Sequence, residues 1–276
     1  MRTAVRSAAA VTPTSPRAWV GRRLGALGAF VLFFGVWELG VRSFGVKEYL
    51  LPPPTTVVAA LVQNYPKVLE SALVTTHEIL AGYALAVAVS IPLALAIAGS
   101  RFMEETVYPV IVFLQIVPKI AIAPLFLIWF GFGFTPKLLL VFLLSFFPIV
   151  VSSIAGFKSL DPDIMDFART TGAGSWRLFA KIRLPQALPG IFTGLKVGAA
   201  LSATAAIVAE FVASDKGLGY LLLQYNGDLN TSIVFATILV LSGIGLAVFY
   251  AVEVLERIAI PWHVSRQPAA EGATLT

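Results

Sequence analysis

The chain has 276 residues, of which 58% are hydrophobic and only 13% are charged, and its formal net charge is +5. Soluble domains carry about 25% charged residues, so this chain has too little charge to cover a surface that faces water on every side. The composition therefore indicates a membrane protein rather than a soluble domain.

The content of cysteine and histidine narrows the chemistry further. The chain has no cysteine, which excludes disulfides and thiolate chemistry. His77 and His263 are far apart and belong to no spaced ligand cluster, so we expect no metal site and no cofactor. No P-loop pattern occurs, so any ATP must be bound by another chain. Basic residues lie between apolar runs rather than in one patch, which favours a membrane protein over nucleic-acid binding.

Apolar runs divide the chain into two tails and one transmembrane domain. Residues 1–20, rich in Ala, Ser, Thr and Pro as far as Pro16, are predicted to be a disordered cytoplasmic tail, and residues 265–276 a second cytoplasmic tail. Residues 21–264 are predicted to form an all-α domain, because six runs approach the roughly 20 apolar residues that span a bilayer. The six predicted transmembrane helices are residues 24–41, 79–97, 107–130, 138–154, 191–212 and 233–252.

The distribution of lysine and arginine predicts the orientation of these spans. With the N-terminus inside, most basic residues fall in cytoplasmic segments, and only five, including Lys137, fall outside. Both termini are then cytoplasmic, the loop of residues 43–72 is external, and the loop of residues 158–189 is cytoplasmic.

The third apolar run carries Lys119 about midway, directly after Pro118. Pro118 and Pro124 cannot donate backbone hydrogen bonds, so we expect a break in this helix, and broken helices at membrane depth often line solute paths. Ionisable residues within a membrane usually face a cavity or a partner. Lys119 is therefore the better candidate for contact with a passing solute, and a structural salt bridge or snorkelling is the alternative.

The cytoplasmic loop has the pattern of two short amphipathic helices. Asp161 followed by Pro162 is a helix start, and Gly172 is a suitable end for the first helix. Ser175 can cap the second helix, and Leu184-Pro185 is predicted to stop it. Such a pair suits either a layer of lipid headgroups or a groove in a partner protein. The less polar face of the first helix consists of Ile164, Phe167, Ala168 and Thr171.

The fifth run carries small residues at every fourth position, which allow another helix to approach closely. That helix belongs either to the same subunit or to a second copy. Lys196 is expected to snorkel to the membrane interface. Glu210, near the outer end, is either a capping or pairing residue or part of a path, and residues 214–230 are predicted to form a short external helix. The small residues are Gly190, Gly194, Gly198, Ser202 and Ala206.

At the cytoplasmic loop, the sequence resembles the permease subunits of ATP-binding-cassette (ABC) importers of the nitrate/sulfonate/taurine type. Asp166-Phe167-Ala168, Gly172 and Ile182-Arg183-Leu184-Pro185 have the spacing of that family's cytoplasmic signature. Asp166 stands where the family has Glu, and Phe167 where it has Ala. The resemblance extends from about Tyr49 to His263, and it includes Leu51-Pro52-Pro53-Pro54 and the segments 118–133 and 210–220.

The resemblance implies a type I ABC importer permease fold and a non-enzymatic role in the bacterial inner membrane. It implies two cytoplasmic ATP-binding subunits, an external solute-binding protein and a second permease copy as partners. It implies a sulfonate-, taurine- or nitrate-like organic anion as solute, with a pyrimidine vitamin precursor or a flavin as the alternative. The coupling residues would be Asp166, Phe167, Ala168, Arg169, Gly172, Leu184 and Pro185, and those of the path or gate Pro118, Lys119, Glu210, Gly219 and Tyr220.

Two other classes are weighed against this interpretation. An ion-coupled secondary transporter usually shows internal repeats and more ionisable residues inside the membrane, and no convincing repeat is visible. An intramembrane enzyme needs a cluster of catalytic side chains within the spans, and the six runs contain no such cluster.

Overall fold

The computed structural model describes residues 16–170 and 172–262, and within them the chain is helical without any strand, which confirms the predicted all-α class. His263 and the predicted C-terminal tail lie outside the described residues, as do residues 1–15. The helices are α1 (Pro16–Ser43), α2 (Pro54–Gln63), α3 (Tyr65–Gly99), α4 (Arg101–Ile116), α5 (Ala123–Phe130), α6 (Phe134–Lys158), α7 (Pro162–Thr170), α8 (Ser175–Leu178), α9 (Leu184–Ala213), α10 (Leu218–Gly227) and α11 (Thr231–Ala259).

Four helical stretches of the described chain are long and apolar enough to cross a membrane. They are Tyr65–Gly99, Phe134–Lys158, Ser175–Val212 and Thr231–Ala259. A fifth span results only if α4 and the segment Lys119–Phe130, which meet at an angle of 84°, are counted together. Five of the six predicted runs lie wholly within helices and the third is interrupted at residues 117–118, but the count of six spans is not confirmed, because α1 is not among the stretches found.

The central contact of the fold is the packing of α9 on α6, and small residues make it possible. A Cβ atom on Gly190 would lie 2.7 Å from the Cα of Gly156, and one on Gly194 would lie 2.8 Å from the Cβ of Ser152. A Cβ on Gly198 would lie 2.9 Å from the side chain of Ile149. These glycines of the fifth run therefore serve packing within the subunit, which was the first of the two alternatives.

Helices α1, α2 and α11 lie around this centre. Trp37 of α1 contacts Phe235 of α11, with their ring centroids 5.8 Å apart. Lys196 of α9 forms an ion pair with Glu256 of α11 at 2.8 Å. A carboxylate in the last turn of α11 thus takes up its ammonium group, and the snorkelling of Lys196 to the interface stays a prediction.

Two boundaries in the loop of residues 158–189, which is predicted to be cytoplasmic, also differ from the prediction. Gly174 precedes the first residue of α8, and Ser175 lies inside the helix without acting as its cap. Leu184-Pro185 does not stop the chain, which stays helical from Ser175 to Val212. A π-helical turn at Phe179–Arg183 precedes Pro185. This wider turn accommodates a proline, which lacks the N–H group and would clash with the preceding turn of an ordinary helix.

Candidate functional site

The cytoplasmic loop begins and ends its first helix as the sequence predicts. The backbone N–H of Asp163 donates to Oδ1 of Asp161 at 2.9 Å, so Asp161 caps α7. Gly172 follows α7 with a φ of +73°, in the left-handed region that glycine adopts without strain. The N–H of Gly172 donates to the carbonyl of Arg169 at 3.1 Å. The loop thus has a defined helical structure and is not an extended connection.

Large apolar side chains on this loop face outward. The side chains of Phe167 and Trp176 are 74% and 77% exposed, and Ile164 is exposed as well. Asp166 and Arg169 pair with each other at 2.9 Å on the same surface. Ala168, in contrast, is buried. Exposed aromatic residues among charged ones are typical of a docking surface for another protein.

The far end of the loop is tied to the bundle. The guanidinium of Arg183, in the π-helical turn, donates to the carbonyl oxygen of Ala98 at 2.5 Å. Ala98 is in the last turn of α3, where carbonyl groups lack partners within the helix. Leu184 and Pro185 follow directly and begin α9. The loop is therefore linked directly to α3 and to α9.

The predicted break in the third run is present, with Pro118 and Lys119 at its centre. α4 ends at Ile116, and a 3₁₀ turn at Lys119–Ile122 leads into α5. The ammonium of Lys119 donates to the carbonyl of Gln115 at 2.6 Å and lies 4.6 Å from the ring centroid of Phe147. Phe147 is near the middle of α6. Among the described residues, no ion pair of Lys119 with a carboxylate occurs, so its positive charge stays uncompensated.

Glu210 lies at the other end of the bundle from the cytoplasmic loop, together with Gly219 and Tyr220. Its carboxylate accepts hydrogen bonds from the hydroxyl of Thr75, at 2.6 Å, and from the backbone N–H of Gly219. The N–H of Leu218 donates to the same Thr75 hydroxyl at 2.9 Å. Glu210 and Thr75 thus satisfy the free N–H groups at the start of α10 and hold that helix on α3 and α9.

Two functional candidates in this region were missed by the sequence reasoning. Glu78 of α3 and Lys137 of α6 form a buried ion pair, and Lys137 also donates to the hydroxyl of Ser214 at 3.0 Å. The distribution of basic residues instead predicts Lys137 in an outer loop. A usable signal existed, because each residue directly precedes an apolar run, and opposite charges at the same end of two adjacent spans can meet.

Two open clefts flank this polar cluster. The larger, of about 520 Å³, is lined by Glu78 and Lys137 and by His77, Phe134 and Lys216, among others. The ring of His77 packs against that of Phe134 at a tilt of 34°, with centroids 4.9 Å apart. The second cleft, of about 170 Å³, includes Tyr220. Among the described residues no group of His, Cys, Asp and Glu could hold a metal ion. Lys119 contacts α4 and α6 instead, so the proposed path residues form two separate groups.

Comparison with known proteins gives matches to membrane components of transport systems. The sequence profile of a family described as "Binding-protein-dependent transport system inner membrane component" matches residues 87–259. A formylaminopyrimidine transport permease protein, ThiX, from Halalkalibacterium halodurans is 34% identical over 85% of this chain and 94% of its own length. A riboflavin transport system permease protein, RibX, from Chloroflexus aurantiacus is 32% identical over 92% and 98%. The taurine transport system permease protein TauC of Escherichia coli is 30% identical over 86% and 89%.

A solved structure shows the same fold at low sequence identity. The chain matches a structure of the MetNI methionine ABC transporter in an inward-facing conformation with a TM-score of 0.55 and 16% identity. The match covers 70% of this chain and 94% of that one.

Proposed function

Because this chain belongs to the family of binding-protein-dependent transport system inner membrane components, the permease subunits of ABC importers, we propose that it forms the path by which a small solute crosses the bacterial inner membrane. As a member of that family it is a non-catalytic membrane subunit with the fold of an ABC importer permease, and ATP hydrolysis resides in a separate subunit. The family also implies a substrate-binding protein as a partner.

In the proposed assembly, two copies of this chain enclose one path, and two ATP-binding subunits dock from the cytoplasm. Both termini and the loop of residues 158–189 face the cytoplasm, and α10 faces the external binding protein. The predominance of lysine and arginine in the segments assigned to the inside supports this orientation.

The exposed apolar surface of the cytoplasmic loop is the observation that carries this proposal. Phe167 and Trp176 project from a capped, internally bonded loop whose second half continues without a break into α9. A partner that binds these side chains can move α9 as a rigid body. Closure of the ATP-binding subunits would then favour one orientation of the transmembrane helices by its differential affinity for the two states. Asp166, Ala168, Arg169, Gly172, Leu184 and Pro185 would keep the loop in shape.

The test is the Phe167→Glu variant, because a buried charge at the centre of a docking surface is costly, whereas an exposed Phe contributes little to the fold. We expect ATP-dependent uptake and co-purification of the ATP-binding subunit to fall at least about tenfold, since loss of a central aromatic residue at an interface costs about 2 kcal/mol or more. Circular dichroism should show unchanged helix content.

The matched control is Phe44→Glu, which places the same charge on an even more exposed phenylalanine in the loop after α1. Phe44→Glu should retain the ATP-binding subunit and uptake. Full uptake by the Phe167→Glu variant, or an equal loss in both variants, would contradict docking at this loop.

The chemical class of the solute rests on Lys119. A half-buried ammonium group near the middle of the bundle, uncompensated by a carboxylate, supports a small solute with an anionic group, such as a sulfonate, taurine or nitrate. A second candidate is a pyrimidine vitamin precursor or a flavin, because the relatives named for formylaminopyrimidine and riboflavin are 34% and 32% identical.

Competition for uptake distinguishes the two classes of solute, when it is measured together with the binding protein whose gene lies next to that of this chain. The anion class predicts competition by sulfonates and none by riboflavin or pyrimidines, and the second class predicts the reverse.

A further inference from the structure

The polar cluster at the outer ends of α3, α6 and α9 contains two carboxyl groups and one ammonium group. Glu78 and Glu210 are each 1% exposed, and Lys137 is 6% exposed. The three residues come from three different helices, so this charge distribution results from the tertiary fold. If both carboxyl groups were ionised, the cluster would carry one uncompensated negative charge in a buried position, which is strongly unfavourable.

The hydrogen bonds of the cluster lack one donor. One oxygen of Glu78 pairs with Lys137, and the other is buried without any hydrogen-bond donor. The two oxygens of Glu210 accept from Thr75 and from the N–H of Gly219. Thr75, which donates to Glu210, lies one helical turn before Glu78 on the same face of α3, so the Glu78 and Glu210 side chains share one buried region, and a direct hydrogen bond between their carboxyl groups is part of the proposal. Ionised carboxylates only accept, so such a contact forms only when one of them carries a proton.

A single proton resolves both the charge and the missing donor. It reduces the net charge of the two carboxyl groups and the ammonium to zero, and it supplies the hydrogen between Glu78 and Glu210. We propose that Glu78 and Glu210 together bind one proton, and that this proton keeps α10 docked on the outer ends of α3 and α9.

Loss of the proton weakens the docking through Glu210. Two adjacent buried carboxylates repel each other, and Glu210 is the residue that holds the N–H of Gly219 at the start of α10. When α10 separates, water reaches both carboxyl groups and they ionise. The docked form therefore holds one more proton than the separated form, and raising the pH favours separation.

Other titratable groups near the cluster are exposed or lie on the clefts. His77 of α3, with Asp215 and Lys216 of the connection before α10, lines the larger cleft. Lys67, Glu70 and Tyr220 line the smaller one. Solvent screens the exposed charges of this set, so they contribute less than the buried pair does. The test must still separate their titration from that of Glu78 and Glu210.

The chain contains no cysteine, so a single introduced thiol reports on α10 directly. Leu222 is buried and its neighbour Leu223 is exposed, both on α10. The test is to measure the maleimide labelling rates of Leu222→Cys and Leu223→Cys between pH 5 and 9, in the complex reconstituted with the ATP-binding subunit. The ratio of the two rates cancels the pH dependence of thiol ionisation. The proposal predicts a ratio that rises with pH, by up to about tenfold per pH unit for one linked proton.

The discriminating variant is Glu78→Gln, whose amide supplies a permanent donor and removes one negative charge. Its labelling ratio should stay low and independent of pH. A second variant, Glu78→Gln with Lys137→Gln, should behave in the same way and covers the case in which an unpaired Lys137 destabilises the first variant. The proposal would be overturned if the labelling ratio did not change with pH in the protein that keeps Glu78. It would also be overturned if the pH dependence persisted in both variants that carry Glu78→Gln. A ratio that responds to replacing sodium with choline rather than to pH would also overturn it, in favour of a metal cation.

Discussion

Glu210 holds the start of α10 through its carboxylate, and the structure therefore favours capping over contact with a solute for this residue. Its partners Thr75 and Gly219 lie more than a hundred residues apart in the sequence. Glu78 and Lys137, on two different helices, are likewise distant in the sequence and in contact in the structure. The position of Glu210 near the end of an apolar run indicates a buried charge. Nothing in the local sequence pattern reveals which helices surround it.

Gly217 provides a test of the packing at Glu210. Its φ is +104°, and a Cβ atom there would overlap the Glu210 carboxylate. Gly217→Ala should therefore destabilise the docking of α10 by about 1–3 kcal/mol, from backbone strain and overlap together. A lower thermal unfolding midpoint measures this effect. Gly227→Ala, near the end of α10 with no atom within 4 Å of the added Cβ, is the control and should melt like the parent.

Lys119 is the residue on which a solute path depends most directly. If an anion passes it, Lys119→Ala should lower the rate of uptake about tenfold or more, because a hydrogen bond to a charged group contributes about 1.5–3 kcal/mol. Assembly with the ATP-binding subunit should not change. Lys119→Arg keeps the charge and should retain most of the uptake. Unchanged uptake kinetics in the alanine variant would remove Lys119 from the path.

At the scale of the elements, local rules predicted helix starts and ends where the cause is local. The cap at Asp161 and the positive φ of Gly172 follow from side-chain chemistry and the freedom of glycine. The stop at Leu184-Pro185 was wrong, because a proline ends a helix only when the preceding turn cannot widen. The π-helical turn at Phe179–Arg183 contacts the distant α3 through Arg183 and Ala98, and a local pattern does not contain such a contact.

The contact between this turn and α3 has its own prediction. Arg183→Ala removes the bond to the carbonyl of Ala98 and leaves a helix end without its cation. We expect the ATP-binding subunit to remain bound, while the amount of solute transported per ATP hydrolysed falls severalfold. Lys181→Ala, an exposed basic residue of the same turn, is the matched control. Equal ratios of transport to hydrolysis in both variants would contradict a role for Arg183 in transmission.

For the whole molecule, composition and apolar runs were sufficient to predict an all-α membrane protein. The number of spans was less accessible, because run length alone does not distinguish a straight helix from the 84° bend after Ile116. The neighbour relations among α3, α6 and α9 were also inaccessible. They rest on close contacts such as that of Gly190 with Gly156, which join residues far apart in the chain.

The proposed orientation is measurable at the same scale. In the cysteine-free chain, Phe44→Cys and Gly174→Cys each introduce one exposed thiol, at opposite ends of the bundle. A membrane-impermeant maleimide should label the thiol at position 44 in intact cells, and that at position 174 only after permeabilisation. The reverse pattern would place the cytoplasmic loop outside and exclude its contact with an ATP-binding subunit.

The unbroken helix of Ser175–Val212 has a mechanical consequence. Its 38 residues extend over about 57 Å at 1.5 Å per residue, so one helix connects the loop that carries Trp176 to the opposite end of the bundle. If one end is fixed, a tilt of about 5° displaces the other by about 5 Å, which is roughly one helical turn in amplitude. A small rotation that a bound partner imposes at Trp176 would thus become a displacement of molecular dimensions beside Glu210.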